Sequence, residues 1–272
     1  MIFKLLLLIK RSIIGRFFLN KRVSTIHYGI AKGMKRRGGI GILALFLKNQ
    51  SKEESFIRSL SFTNKSVYDI GANFGEFTMF FSRATGPHGY VVAFDPLQEN
   101  CKAIADNLSL NNLQNGQIIQ VGVGSRKESK SFVFDPDVTQ LASSNEEIKK
   151  AARLKSHFME IAFKVDSLDA IIAERKLPLP DFIKIDVEGM ETEVLEGMQD
   201  CMNKKKPELF IEVHGVNIEA GDIGSHDAST KNIKNLYNIL KKFNYSITHV
   251  ESSMSVNQSN FEIAKSGHIY CT

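Results

Sequence analysis

From residue 66 to the end, short apolar β-rich runs take turns with helical patterns, and this alternation most restricts the folds open to the chain. SVYDI (66–70) precedes a helical pattern from Gly75, VVAFD (91–95) one running through Leu108, and DFIKID (181–186) one ending at Met198. GQIIQVGV, MEIAFKV, ELFIEVH, YSITHV and the terminal HIYC run supply further strands. A helix is expected from about Lys231 to Phe243, with Ile233, Leu236, Tyr237, Leu240 and Phe243 as its core stripe. Strands apolar along their whole length are buried on both faces, and strand–helix–strand repetition builds a parallel sheet covered by helices. The pattern predicts a doubly wound α/β domain.

The chain has 272 residues, 43% of them hydrophobic, enough for one such core plus an extension. Cys101, Cys201 and Cys271 form no CxxC pair and no zinc-like spacing with His, so they read as structural, in keeping with a reducing cytoplasm. Charge is unevenly spread: residues 1–52 hold twelve Lys or Arg and no acid, whereas the remaining 23 of 35 cations face 30 carboxylates. A basic arm on an acidic body calls for an anionic partner. The expected division is therefore a basic amphipathic arm over 1–50 and a folded domain over 51–272.

The arm begins MIFKLLLLIKRSIIGRFFLNKR, whose longest apolar stretch is the five residues Leu5–Ile9. A spanning helix needs roughly 20 such residues and a signal-peptide core roughly 7 to 15. On a helix, Lys4, Lys10, Arg11, Lys21 and Arg22 share one sector, with Leu5, Leu6, Ile9, Ile13 and Leu19 largely outside it. Residues 1–25 thus suit an anionic membrane surface, packing on the body or packing on another subunit; the acidic body gives no reason to expect nucleic acid. The localisation that follows is cytoplasmic, peripheral at the inner face of the membrane. Residue 2 is Ile and the chain ends Cys271-Thr272, so neither myristoylation nor prenylation adds an anchor. The basic, Gly-rich run Tyr28–Gly41 reads as a loop or short turn linking arm to body, and Ser51-Lys52-Glu53-Glu54 as a capping box opening a helix with Phe56, Ile57 and Leu60 on its apolar face.

In open sheets of this class a ligand binds beyond the carboxyl ends of the strands, so the residues following each apolar run carry the functional information. The first junction, Asp69-Ile70-Gly71-Ala72-Asn73-Phe74-Gly75, spaces two glycines so that the backbone can turn and a ligand can approach it. It lacks the G-x-G-x-x-G of a dinucleotide site, and Asp69 suits a cationic ligand better than a pyrophosphate, which disfavours a nicotinamide enzyme. Asp95, twenty residues after Gly75, ends the second strand where a carboxylate can accept both hydroxyls of a ribose. A nucleoside with positive charge and no phosphate describes S-adenosylmethionine. Taken singly, each glycine is also a turn residue and Asp95 a helix cap before Pro96.

Four separated strings, Val67-Tyr68-Asp69-Ile70-Gly71-Ala72-Asn73-Phe74-Gly75, Ala93-Phe94-Asp95-Pro96, Asp186-Val187-Glu188-Gly189-Met190-Glu191 with Val194-Leu195-Glu196-Gly197, and Glu212-Val213-His214, resemble the FkbM family of S-adenosylmethionine-dependent methyltransferases over roughly residues 50–215. Asp95 stands where that family often has Glu, and the segment from Asp135 to Phe158 is long. The resemblance implies a Rossmann-like, seven-stranded, mostly parallel sheet with its last strand antiparallel. It also implies that Asp69, Gly71, Asn73 and Gly75 frame the methionine part, Asp95 the ribose and the Gly122 region the adenine. Asp186 is counted with both the cofactor and the reacting groups. The acceptor implied is a hydroxyl of a sugar, glycolipid or secondary metabolite; the alternative is a non-catalytic, membrane-associated binding protein on the same fold.

Methyl transfer to a hydroxyl needs an acceptor in line with the S–CH₃ bond and a base for its proton. Asp186, Glu188, Glu212 and His214 are expected together at neighbouring strand ends, with His214 as base because its intrinsic pKa suits neutral pH. Plainer roles compete: a bridge to the next loop for His214, the first turn of a helix for Glu188. Asp186, Glu212 and His214 could also hold a hard divalent cation that acidifies the acceptor hydroxyl, although the preferred set contains no metal. The polar stretch Asn217–Thr230 follows as a lid or as disordered chain.

Overall fold

The computed structural model describes residues 23–37, 51–135, 138–143, 159–214 and 226–272. The expected helix over 1–22 and most of the lid stretch, 217–225, lie outside the described residues. In the described part of the arm, β1 (Val23–Thr25) and β2 (Lys35–Arg37) form an antiparallel ribbon; the expected loop or short turn is the turn of this ribbon from Tyr28 to Met34, while Lys35–Arg37 pair as strand. Its turn drives Ile26, Ile30, Ala31 and Met34 into the core, so apolar burial rather than the Gly-rich composition decides its place. α1 (Lys52–Ser59) starts at the expected capping box, with the Glu54 N–H donating to Ser51 Oγ at 3.0 Å. Glu54 also accepts from the Ile30 N–H at 2.9 Å, joining helix to ribbon.

The chain then alternates β3 (Ser66–Ile70), α2 (Glu76–Thr85), β4 (Tyr90–Asp95), α3 (Gln98–Leu110) and β5 (Gly116–Gln120). The expected single strand GQIIQVGV breaks at Val121, and β6 (Gly122–Gly124) leaves for a second sheet with β7 (Glu128–Asp135), β8 (Val138–Ser143) and β9 (Met159–Ser167). α4 (Leu168–Arg175), β10 (Phe182–Ile185), α5 (Glu191–Glu196), α6 (Gln199–Lys204), β11 (Glu208–Val213), α7 (His226–Lys242), β12 (Ile247–His249), β13 (Met254–Ser255) and β14 (Gly267–Cys271) complete it.

The main sheet runs β13-β12-β14-β11-β10-β3-β4-β5, parallel from β11 to β5, with β14 antiparallel between β11 and β12. The two-residue β13 brings the strand count to eight rather than seven, and the four-stranded sheet is an addition the sequence pattern did not suggest. Helices cover both faces: Tyr68, Ile70, Val92, Phe94, Ile183 and Ile185 point to one core, while Val67, Val91, Ala93, Phe182 and Phe210 point to the other. Side chains alternate along a strand, so Asp69, Lys184 and Glu212 fall on the second face, at the carboxyl ends. Registers Lys184↔Asp69 and Glu212↔His268 line them up into one polar band under α1.

Candidate active site

A cleft with about 750 Å³ of empty space, open to solvent, lies at the carboxyl ends of β3 and β4; its lining includes Gly71, Asn73, Asp95, Gly122, Asp186 and Glu188. Gly71 is required by its backbone: φ is +83°, and a Cβ there would come within 1.7 Å of the Asp186 carbonyl oxygen. Its N–H and that of Ala72 donate to the Phe94 carbonyl at 2.9 and 3.0 Å, pinning the loop across to β4. Asp95 is buried, and its carboxylate accepts from the Asn73 N–H at 2.9 Å, the Leu97 N–H at 2.9 Å and Asn100 Nδ2 at 3.1 Å. Asp95 therefore braces the turn into α3, whose N-cap is Leu97 rather than Asp95, and lines the cleft at once. Burial pushes its pKa up to about 6 against these hydrogen bonds. Asn73 Oδ1, in the same wall, is buried without a hydrogen-bond partner, an acceptor that a ligand donor would satisfy.

Two expected cofactor residues stand elsewhere. Asp69 does not line the cleft: it is fully buried on the α1–α2 face, where Thr78 Oγ1 donates to its Oδ2 at 2.6 Å. Period-two alternation turns it away from the face that Ile70 presents. Gly75 also misses the cleft; at φ +81° it heads α2, and a Cβ would meet Ile104 of α3 at 2.9 Å, so it serves helix packing.

Asp186, Glu188, Glu212 and His214 do come together. His214 Nε2 lies 3.5 Å from Glu188 Oε2, 3.5 Å from Glu212 Oε1 and 3.9 Å from Asp186 Oδ1. Its other nitrogen, Nδ1, is hydrogen-bonded at 2.8 Å to Glu191, whose side chain is fully buried. Burial lowers the ring pKa, but the Glu191 hydrogen bond and the charges of Glu191, Glu188 and Glu212 outweigh it and lift His214 to about 9. His214 is thus an imidazolium at neutral pH, unlike the neutral ring its intrinsic pKa suggests. Burial raises Glu188 to about 7, reinforced by Asp186, Glu212 and Glu191 and opposed by His214. Glu188 holds a left-handed φ of +52°, a strained conformation for a non-glycine residue. Burial also raises Asp186, but the charge and hydrogen bond of Lys184, 2.9 Å away, win and hold it below the usual carboxylate range.

Sequence reasoning missed three contributors. Glu191 opens α5, and its role depends on the end of β11 bringing His214 alongside. Lys184 occupies an inward position of an apolar strand, where a cation is tolerable only when paired, here with Asp186 at 2.9 Å. Glu53 was read as part of a helix start, yet it reaches the same band: Lys184 Nζ is 3.8 Å and His268 Nε2 3.7 Å from its carboxylate. A buried Lys between apolar residues was the one available signal.

A profile of the methyltransferase FkbM domain matches residues 69–247. Among curated proteins, the chain is 28% identical over 146 residues to Methyltransferase 1 of Beauveria bassiana, covering 49% of this chain and 58% of that protein. It is 27% identical over 179 residues to 31-O-demethyl-FK506 methyltransferase FkbM of Streptomyces tacrolimicus, covering 58% and 68%. The solved methyltransferase FkbM of Methylobacillus flagellatus superposes with a TM-score of 0.51 at 18% identity, over 85% of this chain and 50% of that one, a likeness of fold.

Proposed function

The chain belongs to the FkbM methyltransferase family, and from that premise we propose that it transfers a methyl group from S-adenosylmethionine to a hydroxyl of a small molecule or glycan. The observation that carries this reading is one cleft lined by both Asp95, a strand-end carboxylate that would accept ribose hydroxyls, and the Asp186–Glu188 pair, whose negative charge suits a sulfonium. Asn73 Oδ1, lacking a partner, would take a donor from the same ligand, and Gly71 and Gly122 leave the walls free of side chains. When bound, S-adenosylmethionine supplies an electrophilic methyl for in-line displacement. Asp186, held ionised by Lys184, would attract that cation, and His214 in its neutral form would take the acceptor proton through Nε2. Glu212 steadies the imidazolium that results.

A second reading makes Glu188 the base, because it lines the cleft and its pKa of about 7 leaves it partly ionised at neutral pH, whereas His214 stands behind it. Calorimetric titration of the full chain with S-adenosylhomocysteine tests the donor site: binding that an Asp95→Asn variant weakens supports it, and absence of binding refutes it. Sugar, glycolipid and secondary-metabolite acceptors are then separated by assaying methyl transfer to each. Among the described residues no helix is long and apolar enough to cross a membrane. The basic segment over 1–22 would hold the enzyme at an anionic membrane on the cytoplasmic side; co-sedimentation with anionic vesicles, unchanged on deleting that segment, would argue against it.

A further inference from the structure

We propose that Glu53, Glu212 and His268 form a binding site for a first-row divalent cation on the α1 face of the sheet, behind the reacting groups. The antiparallel register of β11 and β14 sets Glu212 opposite His268, and the first turn of α1 lowers Glu53 onto the pair. His268 Nε2 points at Glu53 Oε2, 3.7 Å away, and at Glu212 Oε2, 3.8 Å away. These separations exceed a hydrogen bond. They fit, to within a few tenths of an ångström, the edges of a coordination shell, since ligands about 2.0–2.2 Å from a tetrahedral ion stand roughly 3.3–3.6 Å apart.

Two further observations point to a ligand. His268 Nε2, the atom aimed at both carboxylates, is buried and has no hydrogen-bond partner, which native polar atoms seldom tolerate. The far ring nitrogen, His268 Nδ1, is held at 2.6 Å by Glu251, whose other oxygen accepts the His268 main-chain N–H at 2.9 Å. A carboxylate on Nδ1 that directs the Nε2 lone pair is how proteins orient histidine ligands of metals. One imidazole and two carboxylates favour Mn²⁺, Fe²⁺ or Zn²⁺ over Mg²⁺ and Ca²⁺.

Lys184 does not fill the role. Its ammonium is committed to Asp186 at 2.9 Å and stands 3.8 Å from Glu53 Oε1, not from the oxygen that faces His268. Asp186, Glu212 and His214 have comparable spacings. Asp186, however, lines the cleft, where the donor proposed above brings its own positive charge; this choice between the two sets rests on that reading, the rest of the argument does not. A cation on Glu212 Oε2 would fix the carboxylate whose Oε1 faces His214.

The test is a Mn²⁺ titration of the full chain after chelator treatment, followed by electron paramagnetic resonance, with S-adenosylhomocysteine binding measured on the same samples. One Mn²⁺ per chain is expected, weakened roughly tenfold or more by Glu53→Gln and by His268→Gln, and 10–100-fold by Glu251→Gln. S-adenosylhomocysteine binding should persist in all three variants, which also shows that they fold. No saturable Mn²⁺ binding, or binding unchanged in Glu53→Gln and His268→Gln but lost in His214→Gln, overturns the proposal. Mn²⁺ binding without S-adenosylhomocysteine binding would leave it standing and sink the methyltransferase reading instead.

Discussion

The cleft wall around Asp95 and the charged band around His214 are both built from strand ends, yet they are held in opposite ways. Asp95 is fixed by main-chain N–H groups of Asn73 and Leu97 and by Asn100, all within five residues or across one strand pairing. The band gathers Glu53, Lys184, Glu212, His214 and His268 from distant parts of the chain, with separations from His214 Nε2 and His268 Nε2 to the facing carboxylates of 3.5–3.9 Å. One region is preorganised by backbone hydrogen bonds and the other by long-range charge. The difference predicts that the cleft fails when its backbone is disturbed, and the band when its charges change.

The largest effect is expected from Gly71→Ala. A Cβ facing the Asp186 carbonyl at φ +83° should cost roughly 2–6 kcal/mol through overpacking and left-handed strain, read as a fall in melting temperature by calorimetry. A melting temperature within a degree or two of wild type would show that the loop is not pinned as described. On the other side of the comparison, His214→Gln should leave S-adenosylhomocysteine affinity intact and lower kcat about 10²–10⁴-fold. Lost affinity instead would make His214 part of the cleft wall.

Asp95→Asn should weaken S-adenosylhomocysteine by roughly 10–100-fold, as expected for the loss of one or two hydrogen bonds to a charged acceptor. The same carboxylate gives a pH signature. Its pKa of about 6 means that it is ionised above that value, when it could accept hydrogen bonds from a ribose; as pH falls through 6 it protonates, and with Asp95 as the ribose acceptor affinity should drop by up to about tenfold per unit. Affinity flat between pH 5 and 8 in wild type would remove Asp95 from the ribose site.

What the sequence revealed follows the same division. The places of Asp95, Asn73 and Gly71 in the cleft wall were legible because they depend on local chain geometry, a strand end and a turn. Asp69 and Gly75 misled for a related reason, since spacing along the chain does not say which face of β3 a side chain takes or which helix a glycine meets. The ribbon over 23–37 was hidden by its composition, because the four apolar residues that bury it are scattered among glycines and cations. His214, Glu188, Glu212 and Asp186 could be grouped from the order of strands, but Glu53 and His268 join them only through the antiparallel insertion of β14 and the placement of α1, which no periodicity encodes.

Glu191 offers the finest test of the band, because its hydrogen bond to Nδ1 is the largest influence raising the pKa of His214, beside its weaker charge effect on Glu188. As an imidazolium His214 cannot accept a proton, so with His214 as base kcat/KM should climb with pH and level off above about 9 in the free enzyme. Glu191 supplies the strongest of the contacts that raise this pKa, through a 2.8 Å hydrogen bond to Nδ1. Glu191→Gln keeps a polar group of the same size there but removes its charge, so the rising limb should move to lower pH by about one unit, worth about 1.4 kcal/mol. Nitrogen NMR shifts of the ring should report the same displacement without turnover, which a merely structural glutamate would not produce. If the limb instead lies near pH 7 and disappears in Glu188→Gln but not in His214→Gln, the proton goes to Glu188, and His214 serves to hold the carboxylates of the band in place.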